Sequence, residues 1–314
     1  MAGTKQYFEE NAKQWILDGY NDSGYNYPTA WHRVRIVSKF LTRLKNKRLK
    51  ILDVACGGGD LAICLAQEGY DVVGVDQSKK MIEVAENRRM NLPKQIRNRL
   101  QFIRGEVGKV KLDAKFDIVT ALGFIGYLPN DSALFKIADT LLKPNGHLIV
   151  SCRNRLFNMR SISFRTKDEI KNQNALNLVN ELEGLYSQVP ARDADRFIQR
   201  LKEVSKKLPE KTAYDKALML SPSEKYSSYV SKLKDPVRQS TPKELQTTAL
   251  KCGYKHAAYY GVHPHLMDPN LNKMLPPQIF NKISGCLEAL EDLPISLAWS
   301  SVFIGAFQKN HGKK

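Results

Sequence analysis

The sequence predicts an α/β protein with a doubly wound, mostly parallel sheet, and three observations carry that expectation. Short apolar runs alternate with helical patterns between about residues 48 and 155, and such alternation builds parallel strands joined by right-handed crossover helices. The first run, Ile51-Leu52-Asp53-Val54, leads into a glycine turn, Ala55-Cys56-Gly57-Gly58-Gly59, and then into the helical pattern beginning Asp60-Leu61-Ala62. After Arg153-Asn154 the alternation stops, and residues 155–240, rich in Lys, Glu and Leu with helical spacing, are far too long for a connecting loop.

Taken in order, residues 1–47 read as an N-terminal helical cap. Tyr7, Phe8, Trp15, Tyr20, Tyr25 and Tyr27 are too many aromatics for a solvated tail, and Asn21-Asp22-Ser23-Gly24 marks a turn between helical pieces. Val34, Ile36, Val37, Phe40, Leu41 and Leu44 form the apolar face of the helix before the first strand. Residues 48–154 read as the α/β core. Its first helix continues through Leu61, Ile63, Leu65 and Ala66 to a stop at Gly69. The strand Val72-Val73-Gly74-Val75-Asp76 follows, and Ser78 is the expected N-cap of a helix over Lys79 to Met90, with Pro93 beyond its end. Further strands are expected at 101–104, 116–121 and 147–152.

Residues 155–240, punctuated by Pro190, Pro209, Pro222 and Pro236, read as a helical insertion that serves as a substrate lid. A thickened fold or a dimer contact are the alternatives, so a homo-oligomer stays open. Phe164, Tyr186, Phe197, Tyr214, Tyr226 and Tyr229 line a pocket in the first reading and form core in the second. Residues 241–314 return to the core, starting with Thr241 as N-cap and Pro242 at the first helical position. A strand over 254–262 precedes a second, proline-rich insertion at 264–294, which opens on His263-Pro264-His265, and an apolar strand over Leu297 to Phe307 closes the chain.

Composition narrows the class. No apolar run approaches the roughly 20 residues that span a bilayer, and Met1 to Glu10 lack the apolar centre of a signal peptide. Five cysteines without metal-like spacing fit a reducing compartment better than a disulfide framework, so a cytoplasmic location and no metal centre are expected. The net charge of +17 predicts attraction to anions, whether an anionic small molecule such as a phosphorylated metabolite, nucleic acid or an acidic membrane surface. It collects in Arg43 to Lys50 and in Arg88 to Arg104, where solvated faces and helix ends are the alternative reading.

The glycine turn carries the chemistry. Glycine lets the backbone turn tightly and approach a ligand closely, and the following helix offers unpaired N–H donors. Gly57, Gly59 and Ala62 satisfy the spacing of a dinucleotide loop, so the glycines alone leave NAD and other adenosyl ligands open. Asp53, at the carboxyl end of the strand, would sit beside a bound pyrophosphate and repel it, and so suits a cationic ligand. Asp76 ends the second strand at about the interval where an acid binds ribose hydroxyls.

Leu52-Asp53 through Gly57 and Gly59, with Asp76, resembles the first two motifs of the class I S-adenosylmethionine-dependent methyltransferases. Phe102-Ile103-Arg104-Gly105-Glu106-Val107 looks like their third, Phe116 to Phe124 like their fourth, and Leu141 to Val150 like the helix, turn and strand that follow. The resemblance covers residues 48–155, resumes around 241–262 and includes the last strand. It implies a seven-stranded sheet closed by an antiparallel hairpin, with the helical insertion before the last two strands and S-adenosylmethionine as cofactor. It also implies a donor site of Asp53, Ala55, Cys56, Gly57, Gly59, Asp76, Gln77, Met81, Glu106, Val107 and Leu122, with Glu106 meeting the adenine amine and Val107 flanking the ring. Tyr27, His32 and Arg33 are the candidates for an N-terminal lid over the cofactor, with ordinary core packing as the alternative.

Methyl transfer from a sulfonium needs proximity, alignment and loss of a proton from the acceptor. His263 or His265, projecting from a loop with an ordinary pKa of about 6.5, is a candidate base, and Tyr127 is another. Ala121-Leu122-Gly123-Phe124 lacks the Asn/Asp-Pro-Pro-Tyr/Phe signature that resembling enzymes use on planar nitrogens, which favours a hydroxyl of a small-molecule or lipid- or sugar-linked acceptor. An RNA methyltransferase acting on a cap, ribose or end is the first alternative, and a non-catalytic cofactor-binding adaptor the second.

Overall fold

The computed structural model describes residues 27–187 (apart from 47, 113 and 162), 237–266 and 275–310 (apart from 276), with residues 195, 198, 199, 202 and 203. The N-terminal aromatics from Tyr7 to Tyr25, the insertion's Phe197, Tyr214, Tyr226 and Tyr229, and its four prolines lie outside the described residues.

Seven strands form one sheet: β1 (Lys50–Val54), β2 (Asp71–Asp76), β3 (Leu100–Arg104), β4 (Phe116–Leu122), β5 (Leu142–Arg153), β6 (Tyr254–Pro264) and β7 (Ser300–Lys309). Their spatial order is β3-β2-β1-β4-β5-β7-β6. The first five run parallel, while β7 is antiparallel to both β5 and β6. All strands but β7 therefore end on one edge of the sheet, and the order reverses at β1, where β2 and β4 flank it. Ligands of open α/β sheets dock at such a switch point.

Side-chain alternation splits the core into two layers. Ile51, Val72, Phe102, Ile118, Ile149, Val262 and Val302 face one cluster with helices α1 (Thr29–Arg43), α2 (Asp60–Gln67) and α3 (Lys79–Met90). Leu52, Val75, Val119, Val150 and Phe303 face the other, with α5 (Asp131–Leu141) and α9 (Pro242–Lys251). Between these lie α4 (Lys94–Arg97), α6 (Phe157–Ser161), α7 (Phe164–Lys171) and α8 (Ala175–Tyr186). Burial of both faces explains why the parallel strands read as nearly continuous apolar runs.

Local signals act as their chemistry dictates. Ser78 Oγ accepts from Met81 N at 3.2 Å, and Thr241 exchanges two hydrogen bonds with Glu244 in a capping box. Gly69 ends α2 region with φ +99°, a conformation a β-carbon disfavours.

The strand expected from Leu297 begins instead at Ser300, because Ser296–Trp299 form a short helix, α11. The segment before it holds α10 (Pro277–Leu287) and a single 3₁₀ turn at Glu288–Leu290. β5 starts at Leu142, earlier than expected, and β6 runs through His263 to Pro264, so His263 belongs to a strand and not to a loop. Phe164 and Tyr186 are exposed at 63% and 56%, so neither lines a pocket. No helix among the described residues is long and apolar enough to cross a membrane.

Candidate active site

On the face covered by α1 to α3, each central strand begins apolar and ends polar. Ile51 gives way to Asp53, Val72 to Asp76, Ile118 to Thr120, and Ile149 to Ser151 and Arg153. On the opposite face the same strands end in Val54, Val75, Ala121 and Cys152, which stay in the core. Polar groups therefore converge on one side of the crest, above β1 and β4.

Ala55 and Gly57 adopt φ of +55° and +53°, and Gly59 adopts +81° as the residue preceding α2. The two outer glycines have different reasons. A β-carbon on Gly59 would lie 2.5 Å from the Phe102 ring, so Gly59 allows helix-to-strand packing. A β-carbon on Gly57 would meet only Met81 Sδ, at 3.9 Å, so this turn of backbone faces open space. The Cys56 thiol points inward, where a β-carbon on Gly74 would approach it to 2.9 Å, and burial raises its pKa well above the ordinary range.

Three carboxylates surround the turn. Asp53 is 3% exposed and accepts from Thr120 Oγ1 at 2.7 Å. Burial, against the help of Thr120 and with repulsion from Asp76 and Asp60, lifts its pKa from 3.8 to about 7. Asp76 accepts from Gly57 N at 2.9 Å and from Ser78 N at 2.8 Å, pinning the turn to the start of α3. Asp60 is also raised by burial, opposed by Arg88, which bonds both Asp60 and the Gly58 carbonyl at 2.6 and 2.9 Å. A pyrophosphate placed here would meet this acidic ring at close range, while a cation would relieve it. That electrostatic difference weighs against the dinucleotide alternative.

Around this turn stand the other expected donor-site residues. Met81 is buried and Gln77 half-buried between Asp76 and the α3 cap. Leu122 and Val107 pack against the two core layers. Glu106 is exposed and pairs with Lys109 at 2.9 Å.

The remaining candidates sit farther along the crest. Tyr27 is buried, its hydroxyl donates to Glu288 and lies 3.1 Å from His32 Nδ1, and its ring stacks on His263 with centroids 5.0 Å apart. His32 is fully buried and reaches Glu291 at 2.8 Å. Tyr27 and His32 are thus clamped to the segment after α10, while the guanidinium of Arg33 would stand 3.3 Å from a β-carbon on Gly123, just past β4. Tyr127 closes a 3₁₀ turn, Ile125–Tyr127, and is half-buried.

His263 lies near the end of strand β6 rather than in the loop expected, His265 follows it in a loop, and neither keeps the ordinary pKa expected of a base. His263 holds φ +55°, and burial with repulsion from His265, Arg33, His32 and Arg153 pushes its pKa well below 6.5. Burial and Arg160 push His265 down to about 3. Both are neutral at ordinary pH, so a base with a pKa near 6.5 is not present at either position.

Sequence reasoning missed Thr120, Ser151 and Arg153. Ser151 Oγ accepts from Gly123 N at 2.7 Å and so fixes the turn after β4. The signal was the two-residue alternation itself, in which a polar residue at the end of an otherwise apolar face marks the site. Two clefts of about 640 and 540 Å³ lie along β6, α8 and α9, and neither includes a residue of the glycine turn.

A family model described as a methyltransferase domain matches residues 45–213 of the chain. The ubiquinone biosynthesis O-methyltransferase of Leptothrix cholodnii is 32% identical over 107 residues, 34% of this chain and 45% of that protein. Its counterpart from Coxiella burnetii is 35% identical over 126 residues, 40% of this chain and 51% of that protein. The chain thus spans about half the length of the curated relatives it matches. Magnesium protoporphyrin IX methyltransferase from Synechocystis PCC 6803, solved with S-adenosylhomocysteine bound, superposes with a TM-score of 0.54. That match covers 98% of each chain at 15% identity, a likeness of fold.

Proposed function

The chain belongs to the methyltransferase-domain family, and we propose that it transfers the methyl group of S-adenosylmethionine to a hydroxyl oxygen of a small-molecule acceptor. The observation that carries this reading is the open backbone at Gly57 within the ring of Asp53, Asp60 and Asp76, which fits a positively charged adenosyl ligand. The names of the Leptothrix and Coxiella relatives support oxygen as the acceptor atom.

Within this reading Asp53 faces the cationic end of the donor, and Asp76, whose oxygens keep accepting capacity beyond their backbone bonds, takes the ribose hydroxyls. Glu106 exchanges Lys109 for the adenine amine, Val107 and Leu122 flank the ring, and Ala55, Cys56, Gly59, Gln77 and Met81 shape the walls. Bound there, the donor supplies an electrophilic methyl group. The protein's part is to hold the acceptor in line and exclude water, which is where most of the acceleration of such a displacement arises. His263, neutral and near the end of β6, accepts a hydrogen bond from the acceptor hydroxyl, orients it and takes up its proton as the new C–O bond makes that oxygen strongly acidic, with Tyr127 as the second candidate for orienting it.

Calorimetric titration with S-adenosylhomocysteine, NAD and a short RNA, each at low and moderate salt, tests the reading. Binding of S-adenosylhomocysteine without NAD is the expected result. Folded protein that ignores S-adenosylhomocysteine overturns it, and steeply salt-dependent RNA binding transfers the acceptor to nucleic acid.

A further inference from the structure

His32 is completely buried, and the hydrogen bonds around it determine how many protons it carries. Its Nε2 lies 2.8 Å from one carboxylate oxygen of Glu291, and its Nδ1 lies 3.1 Å from the Tyr27 hydroxyl. The other oxygen of Glu291 accepts from Lys39 at 2.9 Å. Burial works to raise the Glu291 pKa, but the bonds from His32 and Lys39 outweigh it and hold the group below the usual range. Glu291 is therefore an ionised acceptor, and its contact with Nε2 requires a proton on that nitrogen.

Tyr27 settles the second nitrogen. Burial and the adjacent Glu288 raise its pKa well above 10, so the hydroxyl keeps its single proton. That proton goes to Glu288, whose other oxygen accepts from Arg35 at 2.7 Å. What Tyr27 can offer His32 is then a lone pair, which requires a proton on Nδ1 as well. A neutral imidazole has one N–H, and this site uses two. The surroundings balance the resulting charge. Facing His32 are Glu288 and Glu291 from the turn after α10, Arg35 and Lys39 from its own helix with Arg33 beside it, and His263 of β6, which is neutral.

We infer that His32 is a buried imidazolium and the positioning residue of the N-terminal cap, its two N–H groups latching α1 and Tyr27 to the segment after α10. The Tyr27 ring, held in this way, stacks on His263 with planes 9° apart and centroids 5.0 Å apart. Once Nδ1 is deprotonated, Tyr27 has one proton for two acceptors, His32 and Glu288, and must release one of them. The latch is complete below the pH at which His32 loses its proton and loosens above it. α1 also brings Arg33 to the turn at Gly123, so the latch bears on both halves of the crest. For what His263 does to an acceptor the inference rests on the methyl-transfer reading, while the protonation of His32 is independent of it.

The test is nuclear magnetic resonance of protein labelled with ¹⁵N in its histidines, without ligand, between about pH 5 and 9. At about pH 6 His32 should show protons on both ring nitrogens, where His263 and His265 show one each. Glu291→Gln removes the facing charge and should lower the pH at which His32 loses its proton by about one unit or more. Tyr27→Phe keeps the ring but removes the acceptor at Nδ1, and should lower it by about half a unit. In the wild type the His263 signals should follow the titration of His32 through the stacked ring, and in Tyr27→Phe they should largely cease to follow it. Should Glu291→Gln not fold, Tyr27→Phe carries the test.

A single N–H on His32 at about pH 6, or a titration that neither variant moves, overturns the latch. S-adenosylhomocysteine binding measured on the same samples separates the two readings. Folded wild type that ignores S-adenosylhomocysteine while His32 holds both protons overturns methyl transfer and supports the latch.

Discussion

Around the glycine turn three carboxylates, Asp53, Asp60 and Asp76, come from one continuous stretch of strand, turn, helix and strand. At the other end of the same crest, Tyr27, Arg33, Arg153, His263 and Phe280 come from four separated segments. The first half is acidic and held by backbone bonds from Gly57 and Ser78, and the second is basic and aromatic and held by side-chain stacking and ion pairs. Under the proposed function, the difference teaches that cofactor recognition and acceptor recognition are separable in this fold. A local motif suffices for a ligand of fixed chemistry, while a variable ligand is met by pieces that only folding brings together.

The largest expected effect lies inside the donor half, between its two outer glycines. Gly59→Ala forces a β-carbon to 2.5 Å from Phe102 at a left-handed φ, and is expected to cost about 4 kcal/mol from backbone strain and overpacking together. Gly57→Ala meets only Met81 at 3.9 Å, so it should cost no more than about 1 to 2 kcal/mol of stability and chiefly weaken S-adenosylhomocysteine binding. Urea unfolding of both variants beside calorimetry checks the contrast, and equal stability losses would break it.

The two halves should respond to pH in opposite directions. Asp53 is raised from 3.8 to about 7 in the folded protein. Between those values only the unfolded chain has released the proton, so stability falls as pH rises, by on the order of 4 kcal/mol at pH 8. Asp53→Asn, which leaves an amide oxygen for Thr120, should recover up to about that amount at pH 8 while weakening S-adenosylhomocysteine binding. Donor affinity of the wild type should strengthen as pH rises through about 7, where the carboxylate ionises.

In the acceptor half the sign reverses. His265 is lowered from 6.5 to about 3, so below pH 6.5 the unfolded chain takes up a proton that the folded one refuses, and stability falls as pH falls. His265→Gln should remove about 2 kcal/mol of that slope between pH 6.5 and 5, read from urea midpoints across pH. A slope unchanged by the substitution would mean that His265 protonates in the folded state.

The smallest effect belongs to the periphery of the acceptor half. Arg35 pairs with Glu288 at 2.7 Å but is 48% exposed, so Arg35→Ala should cost under about 1 kcal/mol. A larger loss would show that the clamp between α1 and the turn after α10 acts as one cooperative network rather than as separate surface pairs.

The donor half was legible in the residues because its chemistry is local. Asp53, Gly57, Gly59 and Asp76 are fixed by the period of a strand, the needs of a tight turn and the cap of a helix, all read within a few positions. The caps at Ser78 and Thr241 and the existence of the first five strands followed from the same short-range rules. His263 and His265 were legible as residues and not as environments. Their neighbours Tyr27, Phe157 and Phe280 are more than a hundred residues away or on another element, and desolvation has no sequence signature. The strand start at Ser300 was hidden for a related reason, since Leu297 and Ala298 are buried by packing whether helical or extended.

By itself the sequence determined the alternating architecture, the glycine turn and the acids that follow strands β1 and β2. Backbone sterics, apolar periodicity and capping act over distances that a linear text records. Only the tertiary structure decided that Asp53 is desolvated, that both histidines are kept neutral and that Arg153 stands on the face of Asp53. Burial and Coulomb interactions depend on which distant segments are neighbours in space, and those neighbours are set by the folded sheet.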